Sequence, residues 1–205
     1  MQASRRFLAI VILFVAISGG AEFIYYAFFD QRARPEHAMV LPAPMALPAF
    51  SLLDRNGDPF TRDSLRGGWH LLFFGFTHCP DICPVTLQQL ALAKKRLAEE
   101  GGAFPGIVFV SVDPERDSPD TLAAYVDSFS AGIEGVSGDL EQLHKLSKPL
   151  GIYFARSGDL DGDYSVDHSA VVLLINPAAE WQALFSTPHS VDNFVHDMPL
   201  LTSDR

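Results

Sequence analysis

Cysteine is nearly missing from this chain of 205 residues: there are two, Cys79 and Cys83. Two are too few for a disulfide-built scaffold, so a hydrophobic core must carry the fold, and a 48% hydrophobic content can supply one. Positive charge is short as well. Fifteen basic residues face 25 acidic ones, and the net charge of −10 leaves no basic face for nucleic acid. Internal repeats and low-complexity segments are also lacking. The length suits one globular domain with something added to it.

The addition stands at the start. Phe7 to Ala21 is apolar and uncharged, Glu22 interrupts, and FIYYAFF continues to Phe29. As one helix this run measures about 34 Å, enough to span a bilayer, with Tyr25 and Tyr26 near the far interface. The rival reading is a cleaved signal peptide, with Arg5 and Arg6 as its charged start and Ser18 to Ala21 at the cut. Because the apolar run resumes after Glu22, residues 1–29 are expected to form an N-terminal transmembrane helix. Arg5 and Arg6 are balanced by Arg32 and Arg34, so only the α-amino group tips the N-terminus inward. That orientation makes a single-pass protein of an inner, cytoplasmic-type membrane, its domain on the exported side. Residues 30–48, with Pro35, Pro42, Pro44 and Pro48, read as a tether, and residues 49–205 as the folded domain.

Within the domain the pattern alternates. Asn56-Gly57 signals a hairpin turn. Trp69 to Phe76 and Ile107 to Val112 are apolar runs of strand length, as strands covered on both faces require. Val85 to Glu100 is helical, with Val85, Leu87, Leu90, Leu92 and Leu97 on its apolar positions and Gly101-Gly102 stopping it. Ser118-Pro119 opens a second helix, Asp139 to Leu150 forms a third, and Ser190 caps a last one. Ala170 to Ile175 and Trp181 to Phe185 are strands around an Asn176-Pro177 turn. This order predicts an α/β thioredoxin-like sandwich.

The cysteines lie between the first buried strand and the first helix. Pro84 disfavours helical backbone at Cys83, which predicts a helix starting at Pro84 with both thiols on the turn before it. That turn is at the carboxyl end of a strand, where open α/β sheets build their sites, and a helix N-terminus favours thiolate. A structural disulfide is the bland alternative. So short a loop removes little entropy from the unfolded chain, so chemistry is the better expectation.

FFGFTHCPDICP, VSVDPERDSPDTL and DHSAVVLLINP together resemble the Sco/SenC family of membrane-anchored copper proteins, from about Pro48 to the end of the chain. The resemblance implies a thioredoxin-like fold and assistance in assembling the binuclear copper centre of cytochrome c oxidase. It implies Cys79, Cys83 and His168 as ligands of Cu(I) or Cu(II), and a copper-accepting oxidase subunit as partner. An upstream copper donor or thiol reductant, contact with the membrane through the N-terminal helix, and no nucleic acid complete the expected partners. Two thiolates and one imidazole suit copper, while structural zinc would want a fourth protein ligand. The same Cys79–Cys83 pair as a redox-active disulfide gives the alternative, a thiol–disulfide oxidoreductase, although its spacing departs from CxxC.

Other candidates weigh less. His37 falls in the tether, His70 opens a strand, His144 and His196 are on helices, and His189 is in a loop without a motif. His78 adjoins Cys79 but points away from it if the chain is extended. Asp159, Asp161 and Asp163 suggest calcium, yet the positions that need Gly and Glu hold Tyr164 and Ala170. Asp167 is a candidate to orient His168, and Asp113 to shape the DPERDSP turn. A thiol peroxidase would carry Thr or Ser where this chain has Phe76.

Overall fold

A computed structural model describes Gly20, residues 34–158 and residues 164–203. The anchor expected over 1–29 lies outside the described residues, Gly20 apart. Among the described residues no helix is long and apolar enough to cross a membrane.

Among the described residues, ten strands and four α-helices make up the unit that spans Pro35–Arg205. In chain order they are β1 (Ala38–Ala46), β2 (Ser51–Leu53), β3 (Pro59–Thr61), β4 (His70–Gly75), α1 (Ile82–Glu99), β5 (Gly106–Ser111), α2 (Pro119–Asp127) and β6 (Glu134–Val136). Then come α3 (Leu140–Ser147), β7 (Phe154–Ser157), β8 (Ser165–His168), β9 (Val172–Ile175), β10 (Glu180–Phe185) and α4 (Val191–Thr202). The main sheet has the order β1-β10-β9-β4-β5-β6, with β4, β5 and β6 parallel and β9, β10 and β1 antiparallel to their neighbours. The hairpins β2-β3 and β7-β8 stand apart from it.

The apolar run of β4 becomes a central strand because each face has a core to fill. Leu71 and Phe73 point into one core, with Leu87, Leu90 and Leu97 of α1, Leu122 of α2 and Phe194 of α4. Leu72 and Phe74 point into the other, with Leu143 and Leu146 of α3. The expected Asn56-Gly57 turn is present: Asp54 Oδ1 accepts the N–H groups of Asn56 and Asp58, and Gly57 has φ +81. The predicted caps Ser118 and Ser190 each accept a backbone N–H at the third helical position, and Asp139, expected as the first residue of its helix, is likewise the cap of α3.

Three expectations need correction. Part of the tether, Ala38–Ala46, is the edge strand β1, paired with β10. Its Pro42 and Pro44 fall in the register shift between Val40 and Met45, where no ladder N–H is needed. Helix α1 begins at Ile82 rather than Pro84, because a proline in the first turn gives up only an N–H without a partner inside the helix. Val85 and Leu92 are exposed, and the buried stripe runs instead through Cys83, Thr86, Leu87, Leu90, Ala93 and Leu97.

β1 is fastened by a carboxylate. Buried Asp197 of α4 accepts the N–H groups of Glu36 at 3.0 Å, His37 at 2.8 Å and Ala38 at 2.7 Å. Burial alone would raise its pKa; the His196 ring and these N–H groups outweigh that and hold it below the ordinary 3.8. The stabilisation is thus present above that value and fades as pH falls through the lowered one. Asp197→Asn is expected to reduce unfolding free energy by about 1–3 kcal/mol near neutral pH. Denaturant titrations should show the two proteins converging in strong acid.

Candidate metal centre

Strand β4 ends against the site. Past Gly75 and Phe76 the chain turns, with Cys79 N–H donating to Phe76 O at 3.2 Å, and enters α1 through Asp81. Cys83 is therefore the second helical residue and is fully buried, whereas Cys79 on the preceding turn is half-buried. Both thiols are free. Gly75 is required here by close approach. A Cβ on it would lie 2.6 Å from Cys83 Sγ and 2.8 Å from the Phe109 ring.

The third donor arrives from the β7-β8 hairpin. His168 ends β8, opposite Phe154. Its Nε2 is 3.3 Å from Cys83 Sγ, and its Nδ1 faces Ser169 O at 3.3 Å. With Nδ1–H donating to that carbonyl, the Nε2 lone pair points to the sulfurs. Phe73 and Phe76 hold the ring edge-on, at centroid distances of 6.2 and 5.8 Å. The predicted orienting role of Asp167 thus belongs to the Ser169 carbonyl; Asp167 is exposed on the alternating face of β8. Ligand atoms of Cys79, Cys83 and His168 all lie within 4.8 Å of one another.

The two thiols divide their proton. A hydrogen bond from Cys83 holds Cys79 well below the ordinary thiol range against its burial, helped by the N–H groups of Asp81 and Cys83. The same bond, and burial, push Cys83 up. One thiolate is present, on the more accessible sulfur. A depression of about 300 Å³ opens over it, lined in part by Phe76, Cys79, Pro80, Ile82, Val166 and His168.

Supporting groups came only partly from the sequence. Asp113 does shape its turn: its carbonyl oxygen accepts the N–H groups of Arg116 and Asp117, and its own N–H donates to Ser111 Oγ at 3.2 Å. Its side chain does more, accepting Tyr164 O–H at 2.7 Å and pairing with Arg116. Arg116 and Arg156 both stack on the Tyr164 ring, 3.7 and 4.8 Å from its centroid. Asp117 was not foreseen. Fully buried at its carboxylate, it accepts Thr77 N–H at 2.9 Å, Thr77 O–H at 2.6 Å and Ser111 O–H at 2.6 Å. A second aspartate within DPERD was the available signal. His78 is exposed and bonds Thr77 Oγ1 at 3.0 Å, away from the sulfurs' grouping with His168. His70, His144 and His189 also stand outside this cluster.

The donor chemistry suits a soft ion. Two sulfurs and one imidazole whose far nitrogen is already engaged form a set for copper, with no further cysteine or histidine in the cluster to close a structural zinc site.

Comparison with known proteins agrees with this. The model of the SCO1/SenC family matches residues 41–202. A protein of Stutzerimonas stutzeri named for copper binding is 38% identical over 170 residues, covering 82% of this chain and 83% of its own. The copper-bound crystal structure of Arabidopsis thaliana ScoI is 37% identical with a TM-score of 0.68, covering 73% of this chain and 92% of that one. BsSco, described as a member of the Sco family of cytochrome c oxidase assembly proteins with a disulfide switch, shares the fold at 22% identity and a TM-score of 0.63, covering 82% and 99%. The chain spans 43% and 59% of the length of two mitochondrial relatives, Arabidopsis SCO1 homolog 1 and mouse SCO2.

The split between the thiols has a direct readout. In the reduced protein, iodoacetamide near pH 7 should modify Cys79 first and leave Cys83 until the chain is unfolded. Peptide mass spectrometry checks this, and equal labelling of both would contradict the assigned thiolate. The family match over residues 41–202, joined to this fold, makes the chain a member of the SCO1/SenC family.

Proposed function

We propose that this protein binds copper through Cys79, Cys83 and His168 and delivers it during assembly of the binuclear copper centre of cytochrome c oxidase. The observation that carries the reading is the convergence of three donors, with Cys83 Sγ and His168 Nε2 at 3.3 Å although 85 residues separate them along the chain. Copper is cargo here, as Cu(I) or Cu(II). Its binding replaces the Cys83 proton, since the ligand form is thiolate. Half-exposure of Cys79 at the mouth of the depression leaves one side of the ion open to a receiving protein.

Anaerobic titration of the reduced protein with Cu(I) tests the ligand set. One equivalent is expected to bind, with loss of tight binding in Cys79→Ser and Cys83→Ser. His168→Ala should weaken it at least about tenfold, the scale set by groups that merely support ligands. Unchanged affinity in His168→Ala would remove the third donor.

The accessible, depressed thiol of Cys79 favours a second reading, a thiol–disulfide oxidoreductase acting on the oxidase's copper-site cysteines. Reduction of a disulfide substrate at a rate indifferent to His168→Ala would support that role over copper delivery.

We further propose that residues 1–29 anchor the domain by a single span on the exported side of an inner, cytoplasmic-type membrane. The run Phe7 to Phe29 supports this. The protein should stay with membranes after alkaline carbonate extraction, and its domain should be cut by protease added from the exported side. Release by carbonate would indicate a cleaved leader instead.

A further inference from the structure

A second group of ligating side chains lies outside the copper cluster: His37, His196 and Asp197, whose ligand atoms are all within 4.8 Å of one another. His37 precedes β1, and His196 and Asp197 are on α4. The two rings meet edge to face, with centroids 5.6 Å apart.

The carboxylate is not free to bind an ion. Oδ1 accepts Glu36 N–H and His196 Nδ1–H, the latter at 2.7 Å, and Oδ2 accepts the N–H groups of His37 and Ala38. Its lone pairs are used. What it does is fix both imidazoles, one through the ring and one through the backbone. A carboxylate holding Nδ1–H turns the Nε2 lone pair of His196 outward, the arrangement that orients metal-binding histidines elsewhere. Two nitrogens about 2.0–2.1 Å from a common tetrahedral ion stand roughly 3.3 Å apart, and rotation of the two exposed rings, already grouped within 4.8 Å by their ligand atoms, is what such an ion would require. Both rings are open to solvent: His37 is exposed and the His196 side chain is 42% exposed. An ion has a path in, and water can complete its coordination.

The register places this pair. Ala38 is opposite Phe185, Phe185 opposite Val172, and Val172 opposite Phe73. The start of β1 is therefore at the same end of the sheet as the cysteines, three strands away, or about 14 Å.

We propose that His37 and His196 form a second metal site, for a borderline divalent ion with Cu(II) preferred, positioned by Asp197. Nitrogen donors without sulfur favour the divalent state, and Cu(II) heads the stability order. The site is independent of the copper reading above, because it shares no residue with Cys79, Cys83 or His168.

The full-length chain carrying Cys79→Ser and Cys83→Ser, titrated with Cu(II) against a competing chelator, isolates it. About one equivalent should bind, with nitrogen hyperfine structure in the electron paramagnetic resonance spectrum and no sulfur-to-copper charge-transfer band. Adding His37→Gln should weaken this binding at least about tenfold. That variant keeps the backbone N–H that Asp197 accepts, and circular dichroism checks that it folds. His196→Gln should act in the same way. A loss smaller than tenfold in His37→Gln overturns the site, whatever the cysteine centre does.

Discussion

The sulfur of Cys83 occupies the place where a side chain on residue 75 would be. Only glycine at the end of β4 lets the first turn of α1 settle onto the strand, since a Cβ would meet that sulfur at 2.6 Å and Phe109 at 2.8 Å. From this close approach the rest follows. Cys83 goes under the surface, Cys79 stays on the turn above it, and the gap between them faces β8. Were the helix lifted by a methyl group, Cys83 Sγ would leave the reach of His168, and the donors would be a pair instead of three.

Burial then sets the chemistry. Two thiols this close cannot both ionise cheaply in a protein interior, so one proton is shared and the charge goes to the sulfur nearer water. The imidazole is held with its acceptor nitrogen toward the sulfurs by the Ser169 carbonyl and two phenylalanine edges. On the proposed ligand set, an ion entering this group would displace one proton and find its ligands already aimed, which lowers the ordering that binding demands. Such a site favours capture without enclosing the cargo.

Local signals in the sequence carried much of this and failed at definable places. β4 was legible because Trp69 to Phe76 is continuously apolar, and α1 because glycines end it. Its start was misjudged since a rule about one residue before proline lost to the packing of Cys83 against Gly75. β1 was hidden by prolines that break local pattern but tolerate an edge. His168 could be tied to the cysteines only by family resemblance, because β7 and β8 pair with each other and leave no periodic signature of what they lean on. The same holds for Ser169, whose backbone oxygen orients the ring: any residue type offers that group. Cys79 and Cys83 themselves were plain to see, being the only thiols present.

The two ligand-bearing segments that the sequence keeps apart share one support. Asp113 and Asp117 flank the turn after β5. The first accepts Tyr164 O–H, at the entry of the hairpin that carries His168, and the second accepts Thr77, two residues before Cys79. Arg116 between them stacks on Tyr164, reaches its carbonyl at 2.8 Å, and also lies over Phe76 at 5.6 Å. Both carboxylates are withdrawn from solvent, so these bonds are not diluted by water. Neither aspartate is among the grouped ligand atoms, yet each fixes a segment that leads into one of them. Donors carried on separate segments need such a common base, because independent motions of the Cys79 turn and the His168 hairpin would spread the donor separations. The DPERD turn meets that need with side chains that stand outside the donor group, and this accounts for so polar a segment being packed at the end of a central strand.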